Sequence, residues 1–423
     1  MSVANKVRDA LPAVVRQNDA AMVLTLMLGV YALLTAVAVA VGFNTNGIVD
    51  TLRQATLLAA AYAMLVLALN LHWGYTGLFN IGVAGFMAVG AYTMAILTAS
   101  PTGTPPGLGL PLPIGIIGGM VAAAIIGLVA ALPALRLEAD YLAIVTVAFS
   151  EIIRLAVNSR VLQEFTILGT TLGTGGGRGI SYPGPADPIA ALFETPIGDV
   201  FYAIFGAIGV SQPVVRNIAY TVVLILFAYG FYWLLGRIGN SPFGRVLKAI
   251  REDELVANSL GKDTNLFKIK VFAVGCALMG LAGILFIGRS GYINALSFRP
   301  VITFYVFIAL IIGGSGSNTG SVLGGIVFAT LLFYFPQFVG QSLGDLIPRS
   351  ATPDNIVEAI AAFGSIDPLP FVAYAVQNLS NLRFVIVGAL LVYLMHNRPD
   401  GLLGHRKEDA ASVDLMNRGG SDE

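Results

Sequence analysis

Runs of about 20 apolar residues, the length that crosses a bilayer as a helix, recur along this chain. Ten are readable: Ala20 to Val41, Ala55 to Leu71, Leu78 to Leu97, Pro113 to Ala131, Tyr141 to Asn158, Ile218 to Leu235, Ile269 to Ile287, Arg299 to Ile312, Gly320 to Phe335 and Leu382 to Met395. Backbone surrounded by hydrocarbon must satisfy its own N–H and C=O groups, which makes each run a predicted helix. The composition leaves no room for a soluble alternative. With 56% hydrophobic and 11% charged residues and a mean hydropathy of +0.79, a chain of 423 residues cannot cover a globule with polar surface. The expected fold class is an all-α polytopic membrane protein of about ten transmembrane helices.

The same composition narrows the chemistry. Formal net charge is zero, so nothing favours nucleic acid, and the single cysteine, Cys276, lies in an apolar run and offers neither a disulfide framework nor a Cys-based metal site. No HExxH, Walker A lysine or Ser/His/Asp set is present, and the histidines His72, His396 and His405 are read near span ends. The glycine run Gly173-Thr174-Gly175-Gly176-Gly177 lacks the Lys-Ser/Thr of a phosphate-binding loop and follows no strand. No catalytic residue, metal ligand or cofactor of its own is therefore expected.

One polar stretch stands apart, from Gly244 to Lys270 between two spans. Arg245, Val246, Ala249, Ile250, Asp253, Glu254, Ala257, Leu260 and Gly261 follow helical spacing, with Val246, Ile250, Ala257 and Leu260 as an apolar stripe and Arg251, Glu252, Asp253 and Glu254 on the other faces. Gly261 supplies the stop, since it adopts the left-handed conformation without steric cost. A short amphipathic helix of this kind is what a membrane protein would press into a groove on a soluble partner.

Elsewhere the polar residues are few. His72-Trp73-Gly74-Tyr75-Thr76-Gly77 is predicted as a tight turn between the second and third spans, with Trp and Tyr suited to an interfacial belt. Gly115, Gly119, Ala123, Gly127 and Ala131 form a four-residue-step stripe on which another helix can sit closely. Glu151 and Arg154 share a face of the fifth span, placed either in a lumen or at the outer interface. The segment from Gly313 to Gly320 is too polar to face lipid and must emerge at the surface or line an aqueous cavity. Candidate path-lining residues are therefore Gly74, Tyr75, Thr76, Gly77, Asn80, Gly82, Tyr141, Thr146, Glu151, Arg154, Gly313, Gly314 and Gly316.

Ten spans put both termini on one side. All six lysines, Lys6, Lys248, Lys262, Lys268, Lys270 and Lys407, fall in segments of that side, which makes it the cytoplasmic one. Residues 1–19 then form a cytoplasmic leader to a retained helix, 20–404 the membrane domain with a cytoplasmic loop at 237–268, and 405–423 a cytoplasmic tail. Two long segments, 159–217 and 340–380, face outside. A secondary carrier would need more buried acid and base groups than Glu151 and Arg154. An ATP-independent channel stays open. A pore driven by a separate soluble ATPase fits the charged cytoplasmic helix best.

Five segments carry a resemblance. GYTGLFNIGVAGFMAVGAY, LRLEADYLAIVTVAFSEIIRL, FGRVLKAIREDELVANSLGKDTNLFKIKVFAVGCALMGLAGILF, GGSGSNTGSVLGG and NRPDGLLG are similar, in order, to the membrane permease subunits of branched-chain amino-acid ABC importers, the LivM type. The resemblance implies an ABC importer permease bundle with a cytoplasmic coupling helix. Its ATPase-coupling residues would be Arg245, Arg251, Glu252, Asp253, Glu254, Ala257 and Gly261. It also implies a second permease subunit of the LivH type, two ABC ATPase subunits that use ATP and Mg, and an extracytoplasmic substrate-binding protein, all at the cell membrane. Where family members often have Gly-His, this chain has Gly82-Val83, and its outer segments are longer than usual. The same branch includes similar permeases for urea or short amides.

Overall fold

The computed structural model describes residues 18–134, 139–167, 169–344, 347, 353, 355–361, 369–397 and 401–402. The expectations for most of the leader, the tail, Lys6, Lys407 and the NRPD turn fall outside those residues. What is described is almost entirely helical: α1 (Asp19–Ala40), α2 (Thr45–Thr76), α3 (Val83–Thr98), α4 (Leu112–Ala134), α5 (Ala139–Asn158), α6 (Asp187–Leu192), α7 (Pro196–Gly206), α8 (Gln212–Gly239), α9 (Pro242–Glu252), α10 (Glu254–Ser259), α11 (Thr264–Ile287), α12 (Val301–Gly313), α13 (Asn318–Gly344), α14 (Ile356–Ala361), α15 (Leu369–Gln377) and α16 (Leu379–Asn397). Within α13 the hydrogen bonding widens to the i to i+5 pattern over Val327–Tyr334.

Eight helices among the described residues are long and apolar enough to cross a membrane, and the α15 and α16 pair, bent by 83°, would make a ninth. The expected count of ten differs by α3, which has only 16 residues. The predicted third span does not begin as a helix. Residues 77–82 run unwound through the interior, with Leu78 and Asn80 buried, and α3 starts only at Val83. Non-helical backbone at that depth requires protein partners. The Ile81 N–H finds the Thr146 hydroxyl at 2.9 Å, the Gly82 N–H the Asn80 side-chain oxygen at 2.8 Å, and the Ala84 N–H the Thr303 hydroxyl at 3.0 Å.

The predicted turn at His72 to Gly77 is helix instead. α2 has 32 residues, about 48 Å at 1.5 Å per residue, against roughly 30 Å of hydrocarbon. It ends one residue short of Gly77, whose φ of +72° only glycine adopts cheaply. Tyr75 is fully buried, so it does not sit in an interfacial belt, and Trp73 is half-buried.

α2 is the central post, almost wholly buried, with α8, α11, α12 and α13 around it. Glycines set the closest approaches among α3, α4 and α11. A Cβ on Gly90 would lie 2.6 Å from the Gly280 Cα, and one on Gly119 would lie 2.4 Å from the Gly90 carbonyl oxygen. This is the close contact expected of the Gly119 stripe, since small residues replace the hydrophobic drive that lipid removes. Gly90→Leu is expected to cost about 1–3 kcal/mol of stability. Thermal unfolding of the detergent-solubilised protein measures it, and an unchanged midpoint would count against the tight contact.

At the end of the bundle where α2 starts, strand β3 (Ile180–Ser181) pairs antiparallel with β4 (Tyr292–Ile293). The pairing ties the segment after α5 to the segment after α11. A hairpin of β1 (Phe165–Ile167) and β2 (Thr170–Leu172) precedes it. The glycine run is a turn device here: Gly175 has φ +72°, and a Cβ on it would fall 1.8 Å from the Gly179 carbonyl oxygen.

Candidate functional site

The polar stretch folds as two helices, where the spacing predicts one. α9 starts on Ser241, whose hydroxyl accepts the Gly244 N–H at 3.1 Å, with Pro242 in the first turn where its missing donor costs nothing. It stops because Asp253 is extended, at φ −157° and ψ 107°, so that its carboxylate can cap α10 by accepting the Val256 N–H at 3.0 Å. A capping aspartate thus wins over helical periodicity. Gly261 ends α10 as expected, at φ +77°. The Gly261 N–H reaches the Asn258 carbonyl at 2.9 Å and the Lys262 N–H the Ala257 carbonyl at 3.3 Å, the paired bonds of a Schellman stop.

The break rotates the apolar stripe. Leu247, Lys248 and Ile250 form the buried face of α9 and Ala257 that of α10, whereas Leu260, expected inside, is 74% exposed. Leu255 and Val256 are exposed with it, leaving an apolar surface on α10 that none of the described residues covers. α10 is held from beneath by the Glu254 carboxylate, which pairs with the Lys268 ammonium at 2.7 Å and accepts the Thr264 hydroxyl at 3.0 Å.

α9 is fastened to the foot of α2. The Arg251 guanidinium donates through Nη1 to the Gly74 carbonyl at 2.7 Å, one of the last carbonyls of α2 and at the negative end of its dipole. Lys248 lies over the Tyr75 ring at 5.7 Å, and the Tyr75 hydroxyl reaches the Leu235 carbonyl at 3.4 Å. Gly74 is also where the glycine turn arrives. A Cβ on it would fall 1.9 Å from the Asn70 side-chain oxygen and 2.6 Å from the Gly316 nitrogen. Asn70 accepts the Gly316 N–H at 2.8 Å and donates to the Asn318 side chain at 3.2 Å.

One turn further sits His72. The Asn80 amide donates to its Nδ1 at 3.0 Å, so Nε2 carries the proton and points it between the Val271 and Phe272 carbonyls, each 3.2 Å away. The ring is stacked on Phe272 at 4.8 Å. The predicted path residues Gly74, Tyr75, Thr76, Gly77, Asn80, Gly82, Thr146 and Gly316 therefore converge through this network, with Gly313 and Gly314 in the adjoining turn. Thr76 bonds back to the His72 carbonyl.

Others are elsewhere. Tyr141 is 59% exposed and points out of the bundle. Glu151 and Arg154 pair with each other, Arg154 Nε donating to a Glu151 oxygen at 2.8 Å, on a half-buried face of α5. Arg245 is exposed, and Glu252 pairs with Arg251 at 3.2 Å. Asn70, Asn318, Lys248 and Lys268 were missed by the sequence reading, although an asparagine inside an apolar run is itself a pointer to a polar network. A cavity of about 510 Å³ opens at this end, lined by Asp19, Tyr232, Arg237, Ser317, Asn318 and Thr319 among others. Within it the Asp19 carboxylate accepts the Thr319 hydroxyl at 2.8 Å and the Tyr232 hydroxyl at 3.1 Å. Among the described residues, no group of His, Cys, Asp and Glu side chains is placed to hold a metal.

A family model described as "Branched-chain amino acid transport system / permease component" matches residues 51–349, from the second turn of α2 to just past α13. The chain belongs to this family. It is similar to the high-affinity branched-chain amino acid transport system permease protein LivM of Escherichia coli, 33% identical over 301 residues that cover 69% of this chain. The matched region spans 65% of that relative's length. The probable branched-chain amino acid transport permease protein LivM of Methanocaldococcus jannaschii is 27% identical over 386 residues, covering 84% of this chain and 94% of the relative. A shorter likeness, 28% over 130 residues, covers 29% of this chain and 35% of the autoinducer 2 import system permease protein LsrC of Yersinia pseudotuberculosis. No solved structure matches. The matched region of this permease-component family contains α9, α10, the foot of α2 and the glycine turn at Gly313 to Gly320.

Proposed function

We propose that this chain is the membrane-spanning permease subunit of an ABC importer that carries branched-chain amino acids across the cell membrane. It makes no covalent chemistry of its own. A second permease subunit of the LivH type completes the path, two ABC ATPase subunits burn ATP with Mg on the cytoplasmic side, and an external binding protein delivers substrate. Both termini are cytoplasmic, which sets α9 and α10 on the ATPase side. Membership of the permease family and the names of the relatives support this reading.

The observation that carries the mechanism is the Arg251 to Gly74 bond. The exposed apolar surface of α10 is the face an ATPase subunit grips, and Arg245, Glu252, Asp253, Ala257 and Gly261 shape and edge it. When the ATPase dimer closes, α9 and α10 move as one unit, because Glu254 and Arg251 tie them to α11 and α2 respectively. The displaced foot of α2 carries Gly74 and Asn70 relative to the Gly316 turn, and that contact opens or closes the cytoplasmic end of the path. α5 and α12 rock with the unwound residues 77–82 that they hold through Thr146 and Thr303. A mostly apolar path suits an aliphatic side chain.

Uptake by the complex reconstituted with its partner subunits tests the reading. Labelled leucine is expected to accumulate only with ATP and the binding protein, and isoleucine and valine to compete while urea does not. Competition by urea, or solute flux through this chain without the ATPase, would overturn it.

A further inference from the structure

α1 is the least buried of the eight spans, and it leans on α2 and α13. Where it faces α8, the floor between them is made of Ala59, Ala60 and Ala63 of α2, whose side chains are too short to fill the gap. A cleft of about 510 Å³ remains, within the size range of ligand sites. Leu24 and Leu28 of α1 and Ile225 of α8 are exposed on its walls, so it opens sideways toward hydrocarbon.

The cleft has one closed end and one polar end. Between Asp19 and Tyr31, both on its wall, α1 advances 12 residues, about 18 Å, close to half of the roughly 30 Å hydrocarbon thickness. At the far end the Tyr31 and Thr56 hydroxyls share a hydrogen bond of 2.5 Å that bridges α1 to α2. At the near end stand Asp19, Tyr232 and Thr319, which also line the polar cavity at the coupling end, so the two spaces adjoin. Beyond them the Arg237 guanidinium lies over the Trp233 ring at 5.4 Å, and both side chains are exposed. Among the described residues lining the polar cavity, Asp19 is the one carboxylate and Arg237 the one cation.

This is the shape of an amphiphile: an apolar slot about one leaflet deep, leading to a polar chamber with one charge of each sign. Arginine pairs with phosphate through two parallel hydrogen bonds, and Trp233 and Tyr229 are the aromatic types that settle at headgroup level. A free aliphatic amino acid matches the two charges but would leave most of an 18 Å slot empty. The slot also lies away from the polar network of the path. His72 is nine positions from Ala63, two and a half turns of α2, and so on the opposite face.

We propose that the cleft between α1 and α8 holds one acyl chain of a resident phospholipid with a primary-ammonium headgroup, the phosphate on Arg237 and the ammonium beside Asp19. The lipid fills the gap under α1 and supports the Thr319 end of α13, next to the Asn318 side chain that Asn70 grips. Only its assignment to the cytoplasmic leaflet rests on the importer reading.

The test is lipid add-back to the delipidated, detergent-solubilised complex, read as the unfolding midpoint against lipid concentration and as lipid retained in native mass spectrometry. Phosphatidylethanolamine is expected to bind saturably and to raise the midpoint, and its one-chain lyso form to do the same. Phosphoethanolamine without a chain should do nothing. Phosphatidylcholine, whose methylated ammonium has no N–H to donate, and phosphatidylglycerol, which has no ammonium, should each bind about tenfold more weakly. Arg237→Gln is expected to weaken phosphatidylethanolamine binding about tenfold, and Ala60→Leu, which fills the floor, by a similar factor. Asp19→Asn should erase the preference over phosphatidylcholine. Equal binding of phosphatidylethanolamine and phosphatidylcholine by the wild type, or wild-type binding in both Arg237→Gln and Ala60→Leu, would overturn the site. Should Ala60→Leu fail to assemble, Arg237→Gln and Asp19→Asn decide alone. Displacement of the lipid by leucine would give the cleft to the solute, and its loss when the second permease subunit joins would give it to that subunit; either result rejects the proposal.

Discussion

Arg251→Ala is expected to cut ATP-driven leucine uptake about 10- to 100-fold while the ATPase subunits still co-purify. The expected size follows from the bond removed: a charge-assisted hydrogen bond of this kind contributes about 1.5–3 kcal/mol, and every 1.4 kcal/mol is tenfold. The Gly74 carbonyl belongs to the last turn of α2, where the orphan carbonyls and the helix dipole both attract a cation. Arg251→Lys keeps the charge and loses the reach of the fork, so it should fall between wild type and alanine. ATP hydrolysis continuing without uptake in Arg251→Ala would identify the lost step as transmission. Wild-type uptake in the same variant would show that α9 moves α2 by packing alone, through Leu247 and Ile250.

Charge reversal at Glu254 should do comparable damage by a different route. Glu254→Lys sets two ammonium groups where Lys268 now lies 2.7 Å from a carboxylate, which releases α10 from the start of α11. The Lys268 side chain is 11% exposed and that of Glu254 40%, so solvent screens part of the penalty and about 1–3 kcal/mol is expected. The fraction of permease recovered with its ATPase should drop roughly tenfold, and amide exchange in residues 254–260 should rise. Adding Lys268→Glu restores the pair with its sense inverted, and should restore recovery. A double variant as poor as the single one would mean that the Glu254 carboxylate touches the ATPase itself.

Much of this was legible from residue order. Apolar run lengths suffice for helices in lipid, and α1, α4, α8 and α11 fall where the runs place them. The failures came where polar side chains outvoted periodicity. Asp253 broke a stripe that Val246, Ile250 and Leu260 drew as one helix, because a carboxylate cap competes locally with helix continuation. His72 to Thr76 read as a turn because glycine, Trp and Tyr cluster there, yet tertiary contacts with Leu235, Phe272 and Arg251 keep the segment helical and buried. The junction of Asn70 with Gly316 and Asn318 joins residues nearly 250 positions apart, a separation that no local pattern encodes.

The wider winding of Val327–Tyr334 makes α13 a helix with a swivel. Trading an i to i+5 bond for an i to i+4 bond moves one residue through the stretch and turns the far half by about 100°, the angle per residue of an ordinary helix. The Asn318 end, gripped by Asn70, can then stay in phase while Phe335–Gly344 presents another face to α16. The two ends of one span are thereby able to obey different neighbours.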